Sequence, residues 1–296
     1  MKEIVIISGK GGTGKTSIAA SFAFLAGNEA VVADCDVDAA DMHLLLEPDF
    51  GRTEDFYSGF LAEIDETRCT GCGICAEICR FDAIPEVDGH FRINALNCEG
   101  CGYCEKMCPE NAIAMRDLNV GKWYISKIRS GSTMVHARLG IGAENSGKLV
   151  AKVKDEAKRI AEREGTAFVL VDGSPGVGCP VVSSLTGAHY VVLVTEPTVS
   201  GLHDLKRVCE LVQKFGIPAG CMINKADLNP EITEQIGDFL KETGITLIAR
   251  LPYDETFTKA MVNGRTIVEC SRDGLREQME KSWQKVVEVV GEDSFK

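Results

Sequence analysis

The chain has 296 residues, of which 45% are hydrophobic and 26% charged, with a formal net charge of −12 at pH 7. That length suits one large α/β domain or two smaller ones, and the acidic balance excludes a general nucleic-acid binder, whose affinity rests on a basic surface. No run approaches the roughly 18 apolar residues needed to span a bilayer, and the N-terminus lacks a signal-peptide pattern, so a cytoplasmic protein with no membrane partner is expected.

The first apolar run, Glu3–Ser8, reads as a strand, and Gly9-Lys10-Gly11-Gly12-Thr13-Gly14-Lys15-Thr16 follows it, with a helix expected from Lys15 through Ser17 and beyond. This is the G-x-x-x-x-G-K-[ST] pattern in its required setting between a strand and a helix. Glycines let backbone N–H groups approach phosphates, the helix N-terminus favours negative charge, Lys15 is placed for the β/γ-phosphates and Thr16 for Mg²⁺. A second strand near Val31–Ala33 ends at Asp34-Cys35-Asp36.

Two cysteine runs come next: Cys69-x2-Cys72-x2-Cys75-x3-Cys79 and Cys98-x2-Cys101-x2-Cys104-x3-Cys108-Pro109. Each cysteine of the first run recurs 29 residues later, and Gly71, Gly73, Ala83 and Ile84 recur as Gly100, Gly102, Ala112 and Ile113. The spacing resembles that of bacterial ferredoxins holding two [4Fe-4S] clusters, and Arg80 is a departure, standing where the second run has Pro109. In that pattern the fourth cysteine reaches the other cluster. The resemblance thus implies that Cys69, Cys72, Cys75 and Cys108 hold one cluster and Cys79, Cys98, Cys101 and Cys104 the other. Zinc and disulfides are the competing uses of close cysteines; structural zinc favours two well-separated pairs, whereas here two triplets each carry a trailing cysteine. From Phe60 to Leu118 eleven acidic residues face five Lys and Arg, half of the net charge, which suits docking to a basic partner.

Residues 119–147, punctuated by Gly121, Gly131, Gly140, Gly142 and Gly147, read as a junction leading back to the α/β pattern. Strands are expected at Phe168–Val171, Tyr190–Thr195, Ala219–Ile223 and Ile245–Ala249, with helices near 147–164, 201–215, 230–243 and 273–290. Strands separated by helices imply a mostly parallel sheet covered on both faces. Lys148 reads as solvated, Cys179 as a buried thiol, and the five histidines as structural or exposed. The face formed by Leu275, Met279, Trp283, Val286, Val287 and Val290 reads as core packing, since its polar side lacks the basic excess of a membrane-surface helix.

With Lys10 present, the glycine loop resembles the deviant Walker A sequence of the MinD/ParA/Mrp and nitrogenase iron-protein group of ATPases. The resemblance implies a P-loop NTPase sheet over residues 1–59 and 119–296, with an inserted bacterial-ferredoxin-like α+β domain at 60–118. It implies an ATP-dependent homodimer whose Lys10 reaches the partner's phosphates. It also places Asp34 on Mg²⁺, Asp36 as the group orienting the attacking water, and Asp172 and Gly176 in the Walker B and switch II segment. Asn224-Lys225-Ala226-Asp227 resembles a base-recognition motif, favouring ATP with GTP still open, and Pro252 in Leu251-Pro252-Tyr253-Asp254 falls beside the base. The expected function is ATP hydrolysis coupled to two [4Fe-4S] clusters in metallocofactor assembly. The alternatives are an ATP-gated electron donor and a ParA/MinD-like spatial organiser with structural clusters. An unidentified redox or assembly protein is the expected partner.

Overall fold

The computed structural model describes residues 1–140, 145–271 and 274–292, and within the chain two compact units separate. The first comprises Met1–Glu54, Lys122–Leu139 and Ser146–Lys296, the second Asp55–Gly121 and Gly140–Asn145. In chain order the first unit opens with β1 (Lys2–Ser8), α1 (Lys15–Ala26), β2 (Ala30–Asp34) and α2 (Met42–Leu46). Strand β3 (Arg52–Ile64) leads into the second unit, which holds α3 (Ile74–Ile78), β4 (Glu86–Val87), β5 (His90–Phe91) and α4 (Tyr103–Met107). Strand β6 (Ile113–Lys127) leads back to β7 (Thr133–Leu139), α5 (Ser146–Glu164), β8 (Phe168–Asp172), α6 (Cys179–Leu185) and β9 (Tyr190–Thr195). The rest are α7 (Val199–Lys214), β10 (Ala219–Ile223), α8 (Pro230–Thr243), β11 (Thr246–Arg250), α9 (Thr256–Val262), α10 (Ile267–Cys270) and α11 (Gly274–Glu292).

The sheet order is β11-β10-β9-β1-β8-β2-β7-β6-β3. Strand β1 lies inside the sheet between β9 and β8, and its Ile4, Val5, Ile6 and Ile7 are all apolar and all buried, as a strand covered on both faces requires. It pairs in parallel with β8 and β9, and β2 pairs in parallel with β8 and β7. Ile4 and Ile6 join the core that takes in Phe22, Leu170 and Trp283, while Val5 and Ile7 fall on the opposite face by the two-residue period. The α11 face packs into that core: the Trp283 ring lies 5.3 Å from Phe22 and 5.5 Å from Phe168. Among the described residues no helix is long and apolar enough to cross a membrane.

Residues 119–147 correct the expectation of a junction. Most of them are strand, and β7 sits inside the sheet with Met134 against Val32 and His136 against Asp34. Gly131 sits in the turn between β6 and β7 and Gly140 follows β7, whereas Gly121 lies within β6 and Gly147 in the first turn of α5; Gly142 lies outside the described residues. Its signal was weak because Thr133-Met134-Val135-His136-Ala137 breaks alternation with polar and small residues that tertiary pairing buries.

The second unit repeats itself in space as in sequence. Asp65 N–H donates to the Ala112 carbonyl (2.7 Å), and 29 residues later Asn94 N–H donates to the Ala83 carbonyl (2.8 Å), so each repeat reaches for the other. The side chains follow: Asp65 accepts from Thr67 N–H and Asn94 from Leu96 N–H. Gly73 and Gly102, with φ of 76° and 71°, start α3 and α4 in the left-handed region that glycine adopts without a Cβ penalty.

Candidate nucleotide site and cysteine quartets

The glycine loop runs from the end of β1 over the N-terminus of α1 and borders a cavity of about 420 Å³, lined also by Thr16, Ser17, Asp36, Asn224 and Lys225. Its tight spots explain its glycines. A Cβ on Gly9 would sit 2.6 Å from the Asp204 backbone. A Cβ on Gly14, whose φ is 89°, would run into the Asn224 amide. Lys15 is buried, with Nζ 2.6 Å from an Asp172 oxygen and 3.3 Å from an Asp36 oxygen. Burial alone would lower the Lys15 pKa, but attraction to Asp172 and Asp36 lifts it above its ordinary value. Burial raises Asp36, with Lys15 opposing it. Burial also pushes Asp34 well up, and repulsion from Asp172 adds to this. Three buried oxygens here have no partner: Thr13 Oγ1, Asp34 Oδ2 and Asp172 Oδ2. An orphaned buried oxygen costs about 1–3 kcal/mol, so this centre is built for a ligand that supplies positive charge and donors.

Lys10 points along its own chain, with Nζ 2.7 Å from Glu196, 3.1 Å from the Thr198 hydroxyl and 3.1 Å from that of Ser200. Glu196 also holds Lys225 at 2.7 Å, and Lys225 reaches the Gly12 carbonyl at 3.2 Å. Burial would raise the Glu196 carboxyl, but hydrogen bonds from Lys10 and Lys225 hold it below its ordinary value. Gly176, expected in the switch II segment, donates its N–H to the Ser8 carbonyl at 2.9 Å.

The four residues expected around the base divide. Asn224 is buried and donates its amide to the Thr13 carbonyl at 2.9 Å, so it braces the glycine loop while also lining the nucleotide cavity. Lys225, at φ 57°, shares that cavity wall. Asp227 accepts the Tyr253 N–H at 2.5 Å and lines, with Pro252, a separate groove. The sequence reading missed Leu44, Phe257 and Met261, which line the nucleotide cavity from α2 and α9; no spacing rule ties such apolar residues to the loop. Cys179 is a correction. It is exposed, because as the first residue of α6 it stands at the helix end rather than on the face against the sheet.

In the second unit the cysteines fall into two quartets. Cys69, Cys72, Cys75 and Cys108 line one cavity of about 20 Å³, and Cys79, Cys98, Cys101 and Cys104 line another of about 360 Å³. Burial raises the Cys75 thiol, and nearby Cys69 and Cys72 add to the rise; Cys104 behaves likewise beside Cys98 and Cys101. All thirteen cysteines are free thiols. Among the described residues no three or more His, Cys, Asp or Glu are gathered as ligands of a single metal ion, in these quartets or beside Asp34. Four thiols per cavity are the donor set of a thiolate-held iron–sulfur cluster, and the second cavity also offers room, whereas the first is closed down.

Known proteins share this chain's fold and part of its sequence. An uncharacterized protein of Methanocaldococcus jannaschii is 36% identical over 77% of this chain and 79% of its own length. The septum site-determining protein MinD of Pyrococcus horikoshii, solved with Mg-ADP, is 20% identical over 98% of this chain and 97% of that one, with a TM-score of 0.58. MinD from an Aquifex aeolicus MinC:MinD complex is 15% identical over 97% and 96%, also at 0.58. At these identities the solved structures show the fold alone. The family model matches residues 4–267, and the chain belongs to the CobQ/CobB/MinD/ParA nucleotide binding domain family.

Proposed function

We propose that the protein is an ATP-hydrolysing switch of the MinD/ParA kind that closes as a homodimer on ATP. The observation that carries this reading is the charged cage around Lys15, where one lysine holds Asp36 and Asp172 while three neighbouring oxygens lack partners. Thr16 and Asp34 would hold Mg²⁺, which would supply charge neutralisation at the phosphates. Lys15 would exchange its carboxylate partners for phosphate oxygens, and Asp36, at the cavity wall, would orient the attacking water. Lys10 would leave Glu196 for the phosphates of the second protomer. ATP is favoured over GTP, because the acid that would read guanine, Asp227, already holds the Tyr253 N–H. ATP turnover and light scattering test this: Lys15→Ala and Asp36→Ala each reduce turnover on the order of 100-fold or more, and Lys10→Ala abolishes ATP-dependent dimers. Undiminished turnover in both loop and switch variants overturns it.

Residues 60–118 are read as a bacterial-ferredoxin-like insert carrying two [4Fe-4S] clusters. The support is the cysteine spacing, the reciprocal contacts of the two repeats and the sorting of eight cysteines into two quartets. Such clusters have three candidate uses: metallocofactor assembly, electron donation, and a structural or sensing role in an organiser. The MinD likenesses favour an organiser whose clusters act as staples or sensors. Iron and sulfide analysis after anaerobic purification, with EPR with and without ATP, tests this. Cluster loss to an acceptor protein would return the reading to assembly, and ATP-dependent reduction of an acceptor would return it to electron donation.

A further inference from the structure

We infer that Arg80 makes the second cysteine quartet the more easily reduced of two inequivalent clusters, an inference that rests on the two-cluster reading above. The repeat puts the two sites in register, so their differences stand out by position. Arg80 corresponds to Pro109, Phe81 to Glu110, and Thr70 to Glu99. Arg80 and Glu99 line the second cavity, whereas Glu110 is the charged residue lining the first. The fixed charges thus cancel at the second site and leave one negative charge at the first. Arg80 is exposed and has no ion pair among the described residues, so its guanidinium is not held by a carboxylate elsewhere.

Reduction adds one electron, and hence one negative charge, to a cluster. A guanidinium at the cavity wall stabilises that charge, and Glu110 opposes it at the other site. Screening by water limits the effect of an exposed arginine, so a modest but site-selective difference is expected. A one-electron donor would then fill the second site first.

The test is a dithionite titration of the anaerobically reconstituted full chain, followed by EPR, on the wild type, Arg80→Gln and Arg80→Lys. Iron and sulfide are measured on each sample, and about eight of each per chain confirms two cubes. Two reduction waves are expected in the wild type. In Arg80→Gln the upper wave moves down by about 59 mV, a tenfold change in its reduced ratio, while the lower wave stays. Arg80→Lys keeps the wild-type pattern. Equal midpoints in the wild type, no shift or a shared shift in Arg80→Gln, or a Lys variant that behaves like Gln overturns the role of Arg80 while leaving the clusters in place. Low iron and sulfide in the wild type overturns the two-cluster reading and this inference with it.

Discussion

Around Lys15 the nucleotide unit has a lysine, three acidic side chains and a braced glycine loop set on a sheet whose central strands are wholly buried. The cysteine unit, by contrast, buries only Ala62, Ala83, Ile84, Ala112, Ile113 and Val120 among its described apolar side chains, and it leaves Phe60, Leu96 and Tyr103 at least half exposed. The difference concerns what holds each unit together. The first can pay the cost of its buried charges out of a large apolar core. The second is too small for such a core, and units of that size normally depend on a disulfide or metal staple. Its cysteines are free, and the clusters proposed above would supply such a staple through the two quartets.

Stripping iron with a chelator under anaerobic conditions is the sharpest way to break this contrast. Proteolytic cleavage within residues 60–118 rises on the order of 100-fold or more, while the nucleotide unit stays resistant; an unchanged cleavage pattern shows that the cysteine unit needs no staple. A smaller effect is expected from Lys15→Ala in the absence of nucleotide. It leaves Asp34, Asp36 and Asp172 without their cation and lowers unfolding free energy by about 3–5 kcal/mol in urea titrations. A loss under about 1 kcal/mol would mean that these acids protonate instead, the direction in which burial already drives Asp34.

His136 gives a pH test of the same unit. Its Nε2 lies 2.9 Å from the Ser126 hydroxyl, its ring stacks on Tyr124, and burial lowers its pKa from 6.5 to about 4. As pH falls the unfolded chain takes up this proton near 6.5, whereas the folded chain resists until about 4. The contribution is therefore complete above the upper value and lost progressively toward the lower, on the order of 3 kcal/mol in all. His136→Gln removes this component from the pH dependence of urea midpoints, and an unaltered slope between the two values contradicts it. The smallest effect is expected for Asn224→Ala, about 1–3 kcal/mol, because it frees the Thr13 carbonyl and loosens the glycine loop. Nucleotide affinity measured by calorimetry falls with it; an unchanged affinity shows that the loop holds its shape without the brace.

Much of the nucleotide unit was legible in the chain itself. Tyr190–Thr195, Ala219–Ile223 and Pro230–Thr243 are where periodicity puts them, since short runs of apolar residues and a Pro-led helix are local signals. The glycine loop was legible because its chemistry is written in consecutive residues. Strands β6 and β7 were not, because a strand with mixed polar residues declares itself only through the neighbour it pairs with. Cys179 was misjudged because exposure at a helix end depends on how the helix meets the sheet. The Asn224 brace was not legible either, because its partner, Thr13, is 211 residues away in sequence.

The sequence by itself determined the P-loop, the 29-residue cysteine repeat and the parallel α/β class, since spacing and apolar periodicity are properties of neighbouring residues. Only the tertiary structure decided that Lys15 is caged by Asp36 and Asp172, that Lys10 rests on Glu196, and that Asn224 braces the Thr13 carbonyl. These contacts bring together residues far apart in the chain, and their partners are chosen by packing and charge in three dimensions rather than by spacing along the backbone.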